Sequence, residues 1–154
     1  MFGVTTPCVT AARERLEELG YEVLIFHATG NGGQAMESLI REGLIAGVLD
    51  ITRTELADEL IGGILSAGPD RLTAVGQMGI PQVVSVGALD MVNFGPRDTV
   101  PPQFAGRNLY AHNPTVTTGK TQPRRQMLTT SNTKEKSEIT INRLMAGSCA
   151  LTSV

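Results

Sequence analysis

The sequence predicts an α/β fold, and three observations support this class. Short apolar runs that suit strands, such as residues 23–26 and 44–50, alternate with stretches whose apolar residues recur at helical spacing. The connections between them are short and contain glycine or proline. Aromatic residues make up only 4% of the chain, which favours an aliphatic core. We therefore predict a Rossmann-like, three-layer domain with a mainly parallel sheet.

The first helix has clear signals at both ends. Residues 1–4 form a short apolar strand segment, and Thr6 then offers an N-cap hydroxyl immediately before Pro7. Gly20 stands where a left-handed C-terminal cap belongs. A helix is predicted between these signals, with an apolar stripe formed by Val9, Ala12, Leu16 and Leu19.

Two further strands and one helix complete the first half of the chain. Residues 21–26 form the second strand, and after a glycine-rich turn a helix runs to about Glu42. Residues 44–50 are almost continuously apolar, as expected for a strand covered on both faces. Because short β–α–β connections are right-handed crossovers, these strands are predicted to be parallel.

The second half begins with the same alternation and then loses it. Residues 54–65 are predicted to be helical, with an early end possible at the glycine pair, and a second helix follows from Gly68 to Met78. Residues 80–85 form the fourth strand. Residues 86–114 are predicted to be a long loop with one short strand at 109–111, and loops of that length are often functional.

The C-terminal segment differs in composition from the rest. Every lysine of the chain stands at or after Lys120, and this segment is rich in Thr, Ser and Asn. We predict a domain at residues 1–117 and an unrelated, poorly ordered tail at residues 118–154. A shifted reading frame or an alternative exon would produce such a foreign end.

Composition disfavours several protein classes. The two cysteines, Cys8 and Cys149, specify neither a disulfide framework nor a zinc site, so no metal is expected. No apolar run reaches the ~18 residues of a membrane helix, and the N-terminus lacks a signal-peptide pattern. The scarcity of aromatic residues argues against a nucleic-acid stacking surface. We expect a cytoplasmic protein without membrane or nucleic-acid partners.

The glycine-rich turn after the second strand is the main predicted ligand site. Three glycines in four residues leave backbone N–H groups uncovered at the positive end of the following helix, where they could hold a phosphate or carboxylate. A dinucleotide-binding fingerprint would need glycine where Ala35 stands. A purely structural connection is the alternative. The candidate ligand residues are Thr29, Gly30, Asn31, Gly32 and Gly33.

Thr5, Thr6 and Cys8 are predicted to lie at the same edge of the sheet, at a helix N-terminus. The threonines could bind a second phosphate of the same nucleotide. Alternatively, Thr6 only caps its helix. Cys8 could be a thiol of lowered pKa, but a small packing residue is the simpler interpretation.

Acidic and hydroxyl residues at the end of the third strand form a further candidate group. Asp50, together with Glu55, could hold Mg²⁺ or a ribose hydroxyl. Thr52 is a further candidate contact. Glu55 could instead form a capping box with Thr52, and we favour this structural role for Glu55.

Two residues of the long loop, Asp90 and Asn93, are also candidate ligand contacts, although Asn can serve only as a turn former. His27 and His112 are more simply interpreted as structural donors than as general acids or bases. No nucleophile–base pattern identifies a reaction, so catalytic residues and enzymatic activity stay unassigned.

Five stretches of the chain resemble a known family. They are MFGVTTPCVTAARERLEELGYEVLIFHATGNGGQAMESLI, GLIAGVLDITRTELADEL, LSAGPDRL, SVGALDMVNFGPRDTVP and HNPTV. Over residues 1 to about 117 the chain resembles the tomato tobamovirus-resistance-protein family, which includes bacterial relatives. The similarity is to the second α/β subdomain of the family's N-terminal ATP-binding region.

This resemblance implies ATP as the ligand, with or without Mg²⁺. It also implies that the chain is an incomplete fragment whose partners are the remaining domains of a parent protein, with a homodimer as a further possibility. The predicted function is nucleotide binding at glycine-rich strand-to-helix turns. The alternatives are the substrate-binding part of an enzyme acting on a phosphorylated or carboxylated metabolite, and a protein–protein interaction module.

Overall fold

The strands of residues 1–120 form two sheets, with helices packed beside them. The computed structural model describes residues 1–120, so residues 121–154 of the predicted tail lie outside the described residues. The elements are α1 (Thr6–Glu18), α2 (Asn31–Arg41), β1 (Val48–Thr52), α3 (Thr54–Ile61), α4 (Thr73–Met78), β2 (Gln82–Gly87), β3 (Met91–Phe94), β4 (Leu109–Asn113) and β5 (Val116–Lys120). Short 3-10 helices lie at Gly3–Thr5, Arg97–Thr99 and Pro102–Phe104.

A parallel pair of strands, β1 and β2, forms the first sheet. Asp50 pairs with Val84, and after an irregularity Thr52 pairs with Gly87. The parallel pairing of these two predicted strands is therefore confirmed, and so is the α/β class. The carboxyl ends of both strands lie at one edge of the sheet, which we call the rim.

The apolar core lies between β1 and the two helices α2 and α4. Buried side chains of all three elements form it, namely Met36, Ile40, Val48, Ala74 and Val75. Phe26, Ile45 and Ile80 are partly buried and pack against this core. This packing orients the start of α2 toward the rim, where the glycine turn lies.

The predicted strand at residues 21–26 is wrong in the described structure. This segment is not assigned as a strand. Two hydrogen bonds join this part of the chain to the N-terminus. The Met1 amino group donates to the Phe26 carbonyl at 2.5 Å, and the Ala28 N–H donates to the Met1 carbonyl at 2.8 Å. The predicted strand at residues 1–4 is likewise replaced by the 3-10 turn Gly3–Thr5, because the chain bends toward α1.

The predicted long loop contains a strand of a second, antiparallel sheet. β3 pairs with β5, and β5 pairs with β4, so the strand order is β3-β5-β4. Val92 and Phe94 of β3 are buried. β5 crosses the predicted domain boundary at residue 117, so residues 118–120 belong to the sheet. Within residues 1–120, no helix is long and apolar enough to span a membrane.

Candidate functional site

A buried arginine, Arg71, joins three carboxylates beside β1. Its Nη1 and Nη2 donate to the two carboxylate oxygens of Asp50 at 2.6 and 2.9 Å. Its Nε donates to Glu55 at 2.9 Å, and Nη1 also donates to Glu37 at 3.3 Å. Burial lowers the pKa of the Arg71 guanidinium, but the bonds to Asp50 and Glu55 outweigh this and raise the pKa above its ordinary value. Asp50 is thus held by an ion pair.

The glycine turn receives one of these carboxylates. Oε1 of Glu55 accepts hydrogen bonds from the backbone N–H groups of Gly30 at 2.8 Å and Gly33 at 3.1 Å. The turn does bind an anion at the start of α2, as its pattern indicates, but that anion is a side chain of the same protein. The prediction that these two amides face a ligand is therefore not supported by the described geometry.

Close packing explains why glycine occupies three positions of this turn. A Cβ at Gly33 would lie 2.4 Å from Oε2 of Glu55. At Gly32 a Cβ would lie 1.9 Å from the His27 carbonyl oxygen, and at Gly30, where φ is +82°, it would lie 2.5 Å from the Ser66 carbonyl oxygen. The structural interpretation of these glycines thus has direct support. Two further candidates beside them, Thr29 and Asn31, are exposed.

Two predicted hydroxyl residues meet at the rim. Thr5 and Thr52 are both buried, and their side-chain oxygens share a hydrogen bond of 2.7 Å. Thr6 is the first residue of α1, and its hydroxyl donates to the Phe2 carbonyl at 3.0 Å. The prediction that Thr6 is the N-cap is wrong by one residue, since Thr5 holds that position without a side-chain cap bond.

The predicted capping box between Thr52 and Glu55 is not formed. The N-cap of α3 is Arg53, and no side chain caps this helix. Glu55 cannot close the box because its carboxylate is turned toward Gly30, Gly33 and Arg71. The structure agrees with the structural role that the sequence favoured for Glu55, but the partners of its carboxylate are Gly30, Gly33 and Arg71 instead of Thr52.

Cys8 does not have the electrostatic character of a reactive thiol. It is partly buried in the first turn of α1. Burial raises the pKa of the Cys8 thiol above its ordinary value. The alternative of a lowered pKa is therefore wrong, and a packing role agrees better with the structure.

Asn93 lies in the interior, away from solvent. Its side chain donates to Thr54 at 2.8 Å and accepts from Thr118 at 2.9 Å, and its backbone N–H donates to Asp58 at 2.8 Å. These bonds join β3 to α3 and β5, so Asn93 has a structural role here. Asp90 is exposed and forms an ion pair with Lys120.

Asp58 is the buried carboxylate of this second polar cluster. Besides Asn93, the backbone N–H of Leu65 donates to it at 2.8 Å. Burial raises the pKa of Asp58 to about 6, although these hydrogen bonds oppose the shift. The sequence interpretation missed Asp58, whose only signal was a charged residue within the helix predicted at residues 54–65.

The sequence interpretation also missed Arg53. This residue directly follows β1, and its backbone N–H donates to the Gly87 carbonyl at 2.8 Å. Its Nε and Nη2 atoms are buried and have no hydrogen-bond partner among residues 1–120. Burial lowers the pKa of Arg53, the charge of Asp50 raises it, and the charge of Arg71 lowers it. A basic residue between two threonines at a strand end was the signal that could have found it.

The side chains of the rim differ in their fitness for a cofactor. The carboxylates of Asp50 and Glu55 already accept hydrogen bonds at every oxygen. Within residues 1–120, no group of three or more His, Cys, Asp and Glu residues is arranged to hold a metal ion. The two unpartnered donors of Arg53 fit an anionic group, whereas the amides of Gly30 and Gly33 do not. His27 and His112 are exposed.

Comparisons with known proteins agree on one family. The model of "Uncharacterised protein family (UPF0261) C-terminal domain" matches residues 1–142. A UPF0261 protein of Clostridium tetani is 66% identical over 121 residues, which are 79% of this chain and 30% of that protein. The ToMV resistance protein Tm-1(GCR237) of Solanum lycopersicum is 57% identical over 121 residues, or 79% of this chain and 16% of that protein.

A UPF0261 protein of Rhizobium meliloti is 57% identical over 123 residues, which are 80% of this chain and 31% of that protein. The predicted resemblance is confirmed. The chain spans less than a third of the length of each of these three relatives.

Proposed function

Because the chain belongs to the uncharacterised protein family UPF0261, we propose that it supplies part of a binding site for a phosphate-bearing small molecule, with ATP as the first candidate. One observation carries this proposal, namely that three segments converge at the rim. Thr5 bonds Thr52, and Glu55 bonds the turn at Gly30 and Gly33. Open α/β sheets bind their ligands at this edge of the strands.

The proposed contacts follow from which groups at the rim are still available. The amides of Gly30 and Gly33 are used by Glu55, so a phosphate would meet the exposed residues Thr29 and Asn31 rather than those amides. Magnesium would arrive with the nucleotide. Supported by the resemblance, we also propose that the site is cytoplasmic and that the remaining domains of the parent protein complete it.

Titration calorimetry of the full chain with ATP, with and without Mg²⁺, tests the proposal. We expect saturable binding that a bulky side chain at the exposed rim weakens about tenfold or more, a loss of at least ~1.4 kcal/mol. Thr29→Trp is this variant, and Ser38→Trp, at an exposed position inside α2, is the matched control. Substitutions of Gly32 or Gly33 would not serve, because a Cβ at either clashes within the protein.

Absence of saturable ATP binding both to the folded wild-type chain and to a full-length relative would contradict the proposal. Equal weakening by Thr29→Trp and Ser38→Trp would contradict the location. The alternative function, substrate binding in an enzyme that acts on a phosphorylated or carboxylated metabolite, would use the same rim. Turnover of such a metabolite by a full-length relative would favour it.

A further inference from the structure

We infer that Arg53 is the anion-binding residue of the rim and that it takes a carboxylate or phosphate side-on, through Nε and Nη2. The inference rests on the proposed function and adds the residue and the chemical class that it recognises. Arg53 directly follows β1, and its backbone N–H donates to Gly87 at the end of β2. The residue is therefore held where ligands of open α/β sheets bind.

The two nitrogen atoms of Arg53 that lack a hydrogen-bond partner are neighbours in the guanidinium group. Nε and Nη2 lie on the same edge of the guanidinium plane, and both are buried without a partner among residues 1–120. Two parallel N–H donors on one edge match the two oxygens of a carboxylate or phosphate. Leaving a buried donor without a hydrogen-bond acceptor is unfavourable, and more so when the group is charged. A bound anion would remove this cost at both atoms.

Arg71 differs from Arg53, because every nitrogen of its guanidinium has a hydrogen-bond acceptor within the protein. All three of its nitrogens donate to carboxylates, and its bonds to Asp50 use both oxygens of that side chain. Asp50 influences Arg53 through its charge, but its oxygens already accept from Arg71. The guanidinium of Arg53 is thus available to bind an anionic group that comes from outside the described residues.

The hydrogen bonds that the neighbouring carboxylates already accept also indicate how the ligand is bound. Oxygens of Asp50 and Glu55 that accept hydrogen bonds from Arg71 or from backbone amides are poor ligands for Mg²⁺. The anion is therefore held by Arg53 directly, and no metal bridge to the protein is needed. A compact group such as inorganic phosphate or acetate is sufficient.

Nuclear magnetic resonance of the arginine Nε–H groups in the full chain tests the inference. The probes are inorganic phosphate, acetate, and ATP with EDTA, each added to the wild type. Arg53→Lys assigns the Arg53 signal by deleting it while keeping the positive charge. We expect at least one probe to shift this signal saturably, and Arg53→Met to weaken binding of that probe about tenfold or more.

Arg53→Lys should fall between the wild type and Arg53→Met, because an ammonium group lacks the two-donor edge. Arg97→Met, which removes an exposed arginine, is the control and should leave the affinity unchanged. If Arg53→Met does not fold, the wild-type titration still decides the question.

The outcomes separate this inference from the nucleotide proposal. A shift with phosphate or acetate but not with ATP supports the role of Arg53 and overturns ATP as the ligand. Binding of ATP that leaves the Arg53 signal unmoved overturns the inference and leaves the proposed function standing. No shift with any of the three anions in the folded chain also overturns the inference.

Discussion

Most of the buried polar side chains described at the rim form hydrogen bonds or ion pairs within the protein. Glu55 illustrates this, because one carboxylate occupies the glycine turn through Oε1 and pairs with Arg71 through Oε2. Burying a carboxylate is strongly unfavourable unless its oxygens accept hydrogen bonds or pair with a cation. Arg53 is the contrasting residue, since two of its donors lack partners within residues 1–120. Function is therefore better sought at Arg53 than at the glycines.

Asp58 gives a prediction about pH at the residue scale. Its pKa is about 6 in the folded chain against an ordinary value of 3.8, so the folded state binds the proton more tightly than the unfolded state. The stabilisation from Asp58 is fully present below the ordinary pKa and is lost as the pH rises through about 6. We expect a loss of about 3 kcal/mol across this range.

Urea unfolding of the wild type and of Asp58→Asn at several pH values measures this effect. The variant has no titrating group at this position, so the stability of the wild type relative to the variant should fall as the pH rises. Asp90→Asn removes an exposed carboxylate and should keep the wild-type slope. Parallel pH profiles for the wild type and Asp58→Asn would contradict the prediction.

Elements whose ends depend on local chemistry were predicted well. The helices α1, α2 and α3 end near Gly20, Gly43 and Gly62, and each of these glycines has a positive φ. The start of α4 was predicted less well because Leu72, with φ of +79°, delays it to Thr73. No local signal marks that conformation.

Elements and contacts that depend on distant partners were not predicted. β3 was assigned to a loop because its pairing with β5 joins Met91 to Lys120, which are far apart in the chain. The convergence of Thr5 and Thr52 is an exception, because it was predicted from the order of the strands, although the strand predicted at residues 1–4 is not formed. Which carboxylate enters the glycine turn could not be predicted, because it depends on where α3 packs.

Glu37 gives a prediction at the scale of an element. Its carboxylate accepts the backbone N–H groups of Leu72 at 2.7 Å and Ala74 at 3.0 Å, so α2 holds the start of α4. Glu37→Ala leaves these amides without an acceptor in a buried place, and we expect a loss of about 2–4 kcal/mol. Denaturant unfolding measures the loss, and faster hydrogen exchange at both amides locates it.

The control for this prediction lies on the same helix. Glu42 is the exposed C-cap residue of α2, and Glu42→Ala should change the stability by less than about 0.5 kcal/mol. Equal losses in the two variants would mean that helix charge, and not the contact with α4, is responsible.

At the scale of the whole molecule, α3 connects the two sheets. At its N-terminus, Glu55 bonds the glycine turn and Arg71 beside the parallel pair. One residue earlier, Thr54 donates to the Met91 carbonyl of β3 at 3.2 Å, and Asp58 bonds Asn93 one turn later. A displacement of α3 would therefore disturb both the rim and the antiparallel sheet.

The outer edge of β2 gives the last prediction. β2 pairs with β1 on one side, and within residues 1–120 no strand pairs with its other side. Val84 and Val86 of this strand are 47% and 78% exposed. A strand that is unpaired on one side and exposes apolar side chains favours association, and the matched relatives are more than three times as long as the matched segment. We propose that the part of family proteins outside this chain covers the edge.

Val86→Lys tests this proposal in two settings. In a full-length relative with the equivalent residue, burying a lysine against the covering segment should cost about 1–3 kcal/mol of unfolding free energy. In the present chain the same change should cost almost nothing, because Val86 is exposed there. Ser38→Lys, at an exposed position of α2, should be neutral in both. Equal and small effects of Val86→Lys in the two settings would mean that the β2 edge stays open in the whole protein, and the exposed valines would then need a separate partner.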